Sequence, residues 1–364
     1  MGVVKLGDVA RESRLKWTKS KQDVPIVGLE HLIPNEIRFD VYDINTDNTF
    51  SKRFVKGQVL FGRRRAYQRK AAVAEFDGIC SGDITVIEAI EGKIVPELLP
   101  FIVQTPVFFD YANRGSAGSL SPRVKWEHLA DFEFELPPLE EQKVLADKLW
   151  AAYRLKEAYK KLLDATDEMV KSQFIEMFGN PVTNTKGWKT AKIKDVAPEM
   201  PSKEQLSGKI WLLNLDMIES NTGRIIEKVY EDVENALSVQ SFDEGNVLFS
   251  KLRPYLNKVV IPDEPGMATT ELVPLRPEPS KLHKVFLSHL LRGNQFVNYA
   301  NDIAGGTKMP RMPLTELRNF DCILPPMDKQ LEFVFIAEQA DKSKFELKQC
   351  IDNIDKVIKS LING

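Results

Sequence analysis

Two groups of residues have the types and spacing to do chemistry. The first is Asp83 followed by Glu91 and Lys93, an Asp with a Glu-x-Lys pair. Carboxylates so arranged hold the divalent ion of a metal-dependent nuclease. The second is a basic run. From Phe50 to Ala74 the chain carries eight cations, Lys52, Arg53, Lys56, Arg63, Arg64, Arg65, Arg69 and Lys70, and no acid. Arg presents a planar donor fork suited to phosphate and to the guanine edge, and Lys a point charge suited to phosphate. Tyr67 adds a stacking face. The 364 residues hold 50 basic and 52 acidic side chains, so a polyanion partner must be met by a local patch of this kind and not by global charge. The plain alternative is a solvated charged loop.

Other reaction centres are missing. The two Pro-Pro pairs, Pro137-Pro138 and Pro325-Pro326, lack the Asn or Asp and the aromatic that an adenine methyltransferase places around them. No Walker A or GxGxxG sequence occurs. Cys80, Cys322 and Cys350 have no metal-ligand spacing and read as free thiols. The histidines, His31, His128, His283 and His289, form no ligand pattern, and no metal or cofactor is expected in the chain itself. Met1 to Trp17 lacks the apolar core of a signal peptide. No apolar run reaches the roughly 18 residues of a membrane span. A cytoplasmic protein without membrane contact is expected.

The elements that must position these residues are written twice. At an offset of 188, Phe54, Gly57, Val59, Leu60 and Phe61 meet Phe242, Gly245, Val247, Leu248 and Phe249. Arg65, Tyr67 and Lys70 meet Arg253, Tyr255 and Lys258, and Pro122-Arg123 meets Pro310-Arg311. A tandem duplication follows. The second copy of the basic run is sparser, with Lys251, Arg253 and Lys258, so the two copies are not expected to read the same bases. The Asp83 group does not recur: the matching residues are Glu271, Pro279 and Lys281. A further phosphate site is expected at Ser119, Ser121, Arg123 and Lys125, and again at Thr307, Lys308 and Arg311, where Gly118 and Gly306 let backbone approach closely. A tight turn is the alternative there.

Each copy has a globular part, about 1–138 and 179–326, whose short β-like runs and helical stretches predict a mixed α/β (α+β) domain. Each ends in a stretch without interior Gly or Pro, 139–178 and 327–364, that reads as one long helix. About 36 residues at 1.5 Å make a rod of roughly 54 Å. Leu145, Leu149, Ala152, Lys156, Tyr159, Leu163, Thr166, Val170 and Gln173 follow one heptad frame. Phe333, Ala337, Ala340, Lys344, Leu347, Ile351, Ile354, Ile358 and Leu361 repeat it. The two rods are expected to pair as a coiled coil, with Lys156 and Lys344 interrupting the seam at matching places. Packing of each helix on its own domain is the alternative.

This organisation resembles the specificity subunit of type I restriction-modification systems. The residues that carry the resemblance are Leu136-Pro137-Pro138-Leu139-Glu140-Glu141-Gln142 and the helix after it, Phe178-Gly179-Asn180-Pro181, Gly187-Trp188-Lys189, and Gly57–Phe61 with Gly245–Phe249. The second copy departs from the first, with Asp328-Lys329-Gln330 in place of Glu140-Glu141-Gln142. The resemblance covers essentially the whole chain. It implies two target-recognition domains at opposite ends of an antiparallel helix pair, related by a pseudo-twofold, each reading half of a bipartite asymmetric site in double-stranded DNA. It also implies two modification subunits that bring S-adenosylmethionine and methylate adenine, and restriction subunits that use ATP and magnesium. The chain would then be a non-catalytic reader with a role in host defence. A stand-alone endonuclease built on Asp83, Glu91 and Lys93 stays open at this point, as does a protein scaffold whose Arg-rich loop binds acidic partners.

Overall fold

The computed structural model describes residues 2–118, 120–203, 206–232, 239–306 and 308–363; Ser119 and Thr307 of the two expected phosphate loops lie outside them. The chain divides into two compact units, Met1–Tyr159 with Cys350–Gly364, and Lys160–Gln349. Each unit holds one globular part and stretches of both long helices, Leu139–Phe178 and Met327–Asn363.

In the first unit, strands Ala10–Glu12, Ile84–Ala89, Val59–Gly62 and Ala71–Val73 form an antiparallel sheet in that order. Ile26–Val27, Gly78–Cys80 and Lys52–Phe54 form a second, mixed sheet. Gly2–Lys5 pairs with Glu133–Leu136 and ties the start of the domain to the end that feeds the first long helix. The strand Val59–Gly62 is apolar throughout because both its faces are covered. Val59 and Phe61 point into the core that includes the long helix, and Leu60 into a separate core with Val27, Phe39 and Phe54. The second unit repeats this: Val247 and Phe249 enter one core, Leu248 the other with Trp211 and Phe242. Mixed α/β is thus the observed class, with each globular part built around two main cores and a small third cluster, Val24, Ile26 and Ile79, in the first.

The long helices start and stop for visible reasons. Gln142 lies buried in the first turn of its helix; its Oε1 accepts from Val95 N (2.8 Å) and its Nε2 donates to Pro137 O (2.8 Å). Gln330 does the same with His283 N, Lys281 O and Pro325 O, each at 2.9 Å. The Asp328-Lys329 departure therefore leaves helix initiation intact. At the far end of the first helix, Gly179 takes φ +74° and donates to Ile175 O (2.8 Å), a left-handed cap.

Within each unit the helices pair antiparallel. In the first, Lys156 Nζ meets Asp355 (2.6 Å) while Leu145 and Leu149 share a cleft wall with Leu361 and Ile362. In the second, Lys344 Nζ meets Asp167 (2.8 Å) while Phe174 and Phe178 pack on Phe333 with ring centroids 5.2 and 5.8 Å apart. The two seam lysines are thus ion-paired, each with the aspartate that matches the other's partner at the offset of 188. Burial alone would lower the pKa of Lys344, but its hydrogen bonds to Asp167 and Asp341 raise it. The helices also bury a face outside the heptad frame: Ala146 and Tyr153 belong to the first unit's core, Phe174 and Phe178 to the second's. Pairing and packing on the domain occur together.

Candidate nucleic-acid interface

The basic run leaves the strand Val59–Gly62 and joins the second expected site directly. Arg63 N donates to Asp83 O (3.0 Å), Val124 N to Arg63 O (3.0 Å) and Arg65 N to Pro122 O (2.8 Å). Ala117 and Arg123 exchange two backbone bonds of 3.0 and 2.9 Å across the turn, with Gly118 at φ +115°. Between the two segments the chain makes a 3-10 turn, Ala66–Gln68, flanked by Arg65 and Arg69 in the left-handed region at φ 54° and 53°. A non-glycine residue there costs on the order of 1–3 kcal/mol and persists only where its surroundings fix it.

The second copy rebuilds the same frame. Lys251 N donates to Glu271 O (3.0 Å), Met312 N to Lys251 O (2.9 Å) and Arg253 N to Pro310 O (2.7 Å). Pro254–Leu256 is the 3-10 turn, with Arg253 and Asn257 both at φ 49°. The turn presents Tyr67 in one copy and Tyr255 in the other, 57% and 46% exposed.

The side chains divide into three sets. Arg123 is held by Asp83, Nε to Oδ1 at 2.6 Å and Nη2 to Oδ2 at 3.2 Å. Arg311 is held in the same way by Glu271, at 2.9–3.3 Å. The Arg123 hydrogen bonds keep the Asp83 carboxyl below its usual range, against a smaller opposing effect of burial. Lys70 and Lys258 turn inward: their ammonium groups donate to Leu29 O (2.7 Å) and Leu215 O (2.6 Å). These two therefore brace the loop instead of facing a ligand, and burial lowers the Lys258 pKa. Arg69 lies 3.7 Å from Asp110. The third set, Arg63, Arg65, Lys125, Lys251, Arg253 and Lys308, has no ion-pair partner among the described residues. Arg64 is a special case, with Nη2 on Ser121 Oγ (3.0 Å) and Nη1 3.4 Å from Asp83.

The endonuclease reading is corrected here. Asp83 spends its carboxylate on Arg123 and Arg64. Glu91 and Lys93 lie past the opposite end of the six-residue strand Ile84–Ala89, a rise of about 20 Å, so the three cannot share an ion. The signal that would have assigned Asp83 was in the duplication: an acid recurs at Glu271, opposite an arginine that also recurs.

Among the described residues one other group could bring three ligand atoms within 4.8 Å of one another, Glu30, His31 and Asp43. Its chemistry argues against a metal. Gly28 N–H donates to His31 Nδ1 (2.9 Å), so the neutral ring carries its proton on Nε2, which faces Asp43 at 3.7 Å. A metal on Nε2 would move that proton to Nδ1, against the Gly28 N–H. In the second copy Met217 sulfur accepts from Asn214 N (3.4 Å) at the same turn. What recurs is an acceptor for a turn amide. Cys80 and Cys322 are buried free thiols whose pKa burial pushes up to about 12.

Comparison with known proteins agrees with this duplicated frame. The profile of the "Type I restriction modification DNA specificity domain" matches residues 1–165 and again 185–355. The Type I restriction enzyme EcoDI specificity subunit of Escherichia coli is 23% identical over 288 residues, 67% of this chain and 64% of the relative. The chain thus aligns with less than two thirds of that relative's length. Among solved structures, the type I restriction-modification system S subunit from M. genitalium has a similar fold, at TM-score 0.58 and 10% identity, over 100% of this chain and 95% of that one. A chain from the structural work on complex assembly and conformational transition of the type I R-M system gives TM-score 0.56 at 16% identity, over 99% and 96%. With matches to both copies of its repeat, the chain belongs to the family defined by the type I restriction-modification DNA specificity domain.

Proposed function

We propose that the chain is the sequence-reading subunit of a type I restriction-modification complex, with no reaction of its own. Each globular part reads one half of a two-part site in double-stranded DNA. Modification subunits carrying S-adenosylmethionine, and restriction subunits using ATP and magnesium, supply methylation and cleavage. The observation that carries this reading is the basic turn built twice on one backbone frame, each time with an exposed tyrosine and cations that no acid neutralises. If the six unpaired cations all meet phosphate, log Kobs against log salt has a slope on the order of −5.

Partner docking is supported by a second apolar stripe on the first long helix. Val144, Ala151, Leu155 and Ala158 in the first unit, and Leu162, Ala165 and Met169 in the second, follow heptad spacing and are exposed. A helix apolar on two faces asks for a second neighbour. No helix among the described residues is long and apolar enough to cross a membrane. We place the work in the cytoplasm, in keeping with the unpaired thiols.

The test is methylome sequencing of cells expressing the chain with its modification subunits, against cells lacking only this chain. A two-part adenine-methylation motif that disappears with the chain is expected. A methylation pattern indifferent to its removal would refute the proposal.

A further inference from the structure

Two recognition domains that share a frame but read different half-sites must differ in chemistry somewhere on it. The frame divides cleanly. Arg65 and Arg253, Tyr67 and Tyr255, the Asp83–Arg123 and Glu271–Arg311 pairs, and the inward Lys70 and Lys258 are the same in both copies. Of these, the lysines and the acid-held arginines fix the loop, and the unpaired Arg65 and Arg253 suit what both half-sites share, the phosphate backbone. Positions 64 and 121 do not repeat. They hold Arg64 and Ser121 in the first copy, Leu252 and Met309 in the second. Arg64 and Leu252 bridge Arg123 and Arg311, and Ser121 and Met309 stand two residues before those arginines, inside the turns closed by the Ala117–Arg123 and Gly305–Arg311 bridges.

The first copy's arginine is prepared for directional hydrogen bonding. Ser121 Oγ at 3.0 Å from Nη2 and Asp83 at 3.4 Å from Nη1 fix its guanidinium while Nε is buried; each terminal nitrogen keeps a second N–H, and the side chain stays 38% exposed. A phosphate needs only a charge nearby; a fixed planar fork is what the O6 and N7 acceptors of guanine require. At the same positions the second copy offers a partly exposed Leu252 and an exposed Met309, with no donor or charge. Such a surface fits the thymine methyl and rejects a polar edge.

We infer that positions 64 and 121, with their counterparts 252 and 309, set base preference: Arg64 reads a guanine in one half-site, and Leu252 with Met309 reads a thymine methyl in the other. This rests on the DNA-reading function proposed above.

The test uses the complex with its modification subunits and selection from duplexes randomised in both half-sites. The Arg64→Leu, Ser121→Met double variant is expected to lose guanine preference at one position of one half-site, by roughly 5- to 150-fold, the discrimination of one bidentate pair. The other half-site keeps its preferences. Ser121→Ala, which leaves the arginine but frees its fork, is expected to weaken the same preference partially, and it serves if the double variant does not fold. Equal weakening on all sequences with a shallower salt slope would make Arg64 a phosphate contact and overturn the inference while leaving DNA reading intact. Unchanged preferences would also overturn it. A parent complex with no sequence preference at all would remove both the inference and the function beneath it.

Discussion

Gln330 is fully buried in the first turn of its helix and makes three hydrogen bonds of 2.9 Å, one received from His283 N and two given to Lys281 O and Pro325 O. Substituting Gln330→Ala removes all three and strands the His283 amide. At about 1 kcal/mol net per bond, with about 1–3 kcal/mol more for a buried donor left unpaired, the expected loss is about 4–6 kcal/mol. For a unit of this size each kcal/mol lowers Tm by about 2–4 °C, so melting of the second unit is expected about 8–24 °C lower. Gln142 makes two such bonds, both 2.8 Å, and Gln142→Ala is expected to cost the first unit less, about 3–5 kcal/mol. Gln330→Glu is the sharper test. It keeps the shape but sets carboxylate oxygens against two carbonyls, so it is expected to be worse than alanine. Glu140→Ala and Glu141→Ala, exposed in the same sequence motif, are expected to stay within about 0.5 kcal/mol of the parent. Urea and thermal denaturation followed by circular dichroism read all five. If Gln330→Ala melts within 2 °C of the parent, or if the exposed glutamates match it, the glutamine is not what anchors the helix to its domain.

Asp355→Ala leaves Lys156 without an ion-pair partner among the described residues, whereas Asp167→Ala leaves Lys344 its second partner, Asp341 at 2.7 Å. The first is expected to cost about 1–3 kcal/mol and clearly more than the second, and Lys156→Met close to nothing; equal costs by urea titration would contradict the pairing. His289 is partly buried, and its pKa is held well below the usual imidazole range, by desolvation first and then by Arg292 and Lys344. The unfolded chain binds that proton near pH 6.5 and the folded chain does not, so stability falls as pH drops below about 6.5, by up to about 1.4 kcal/mol per pH unit. His289→Phe, which installs the residue that the first copy carries as Phe101, is expected to flatten this slope, measured as the urea midpoint between pH 5 and 6.5; an unchanged slope rules out His289 as its source. Arg65→Ala and Arg253→Ala are each expected to weaken duplex binding equally across sequences and to reduce the salt slope by about 1, and a change of preferred base in either would contradict their assignment to phosphate.

Much of the fold could be read because the chain supplies its own comparison. The offset of 188 located both helices, both basic runs and both Pro-Arg turns, and the structure joins the last two through bonds such as Arg65 N to Pro122 O. The seam lysines stood out because they violated a heptad. Other features were hidden for physical reasons. A heptad frame registers one face, so the second buried face of Tyr153, Phe174 and Phe178 was invisible to it. The run Val59-Leu60-Phe61 is apolar at every position, and nothing in it says that alternate residues serve two cores. Lys70 and Lys258 looked like ligand-facing cations because charge shows in a sequence, whereas the carbonyl oxygens of Leu29 and Leu215 that receive them belong to backbone and leave no trace.

Asp83 shows how the duplication should be used. Taken alone, an acid ahead of Glu-x-Lys suggests a metal site; matched with Glu271, it becomes half of a carboxylate–arginine pair, since an acid and an arginine recur together 40 residues apart. Recurrence of the pair, not of the single residue, separates structure from chemistry here. The same reasoning runs in reverse at positions 64 and 121. Arg65, Pro122 and Arg123 recur as Arg253, Pro310 and Arg311 with the same backbone bonds, so the frame alone does not account for the shift from Arg and Ser to Leu and Met. What differs between two copies of one scaffold, at a place the scaffold does not need, is where their ligands must differ.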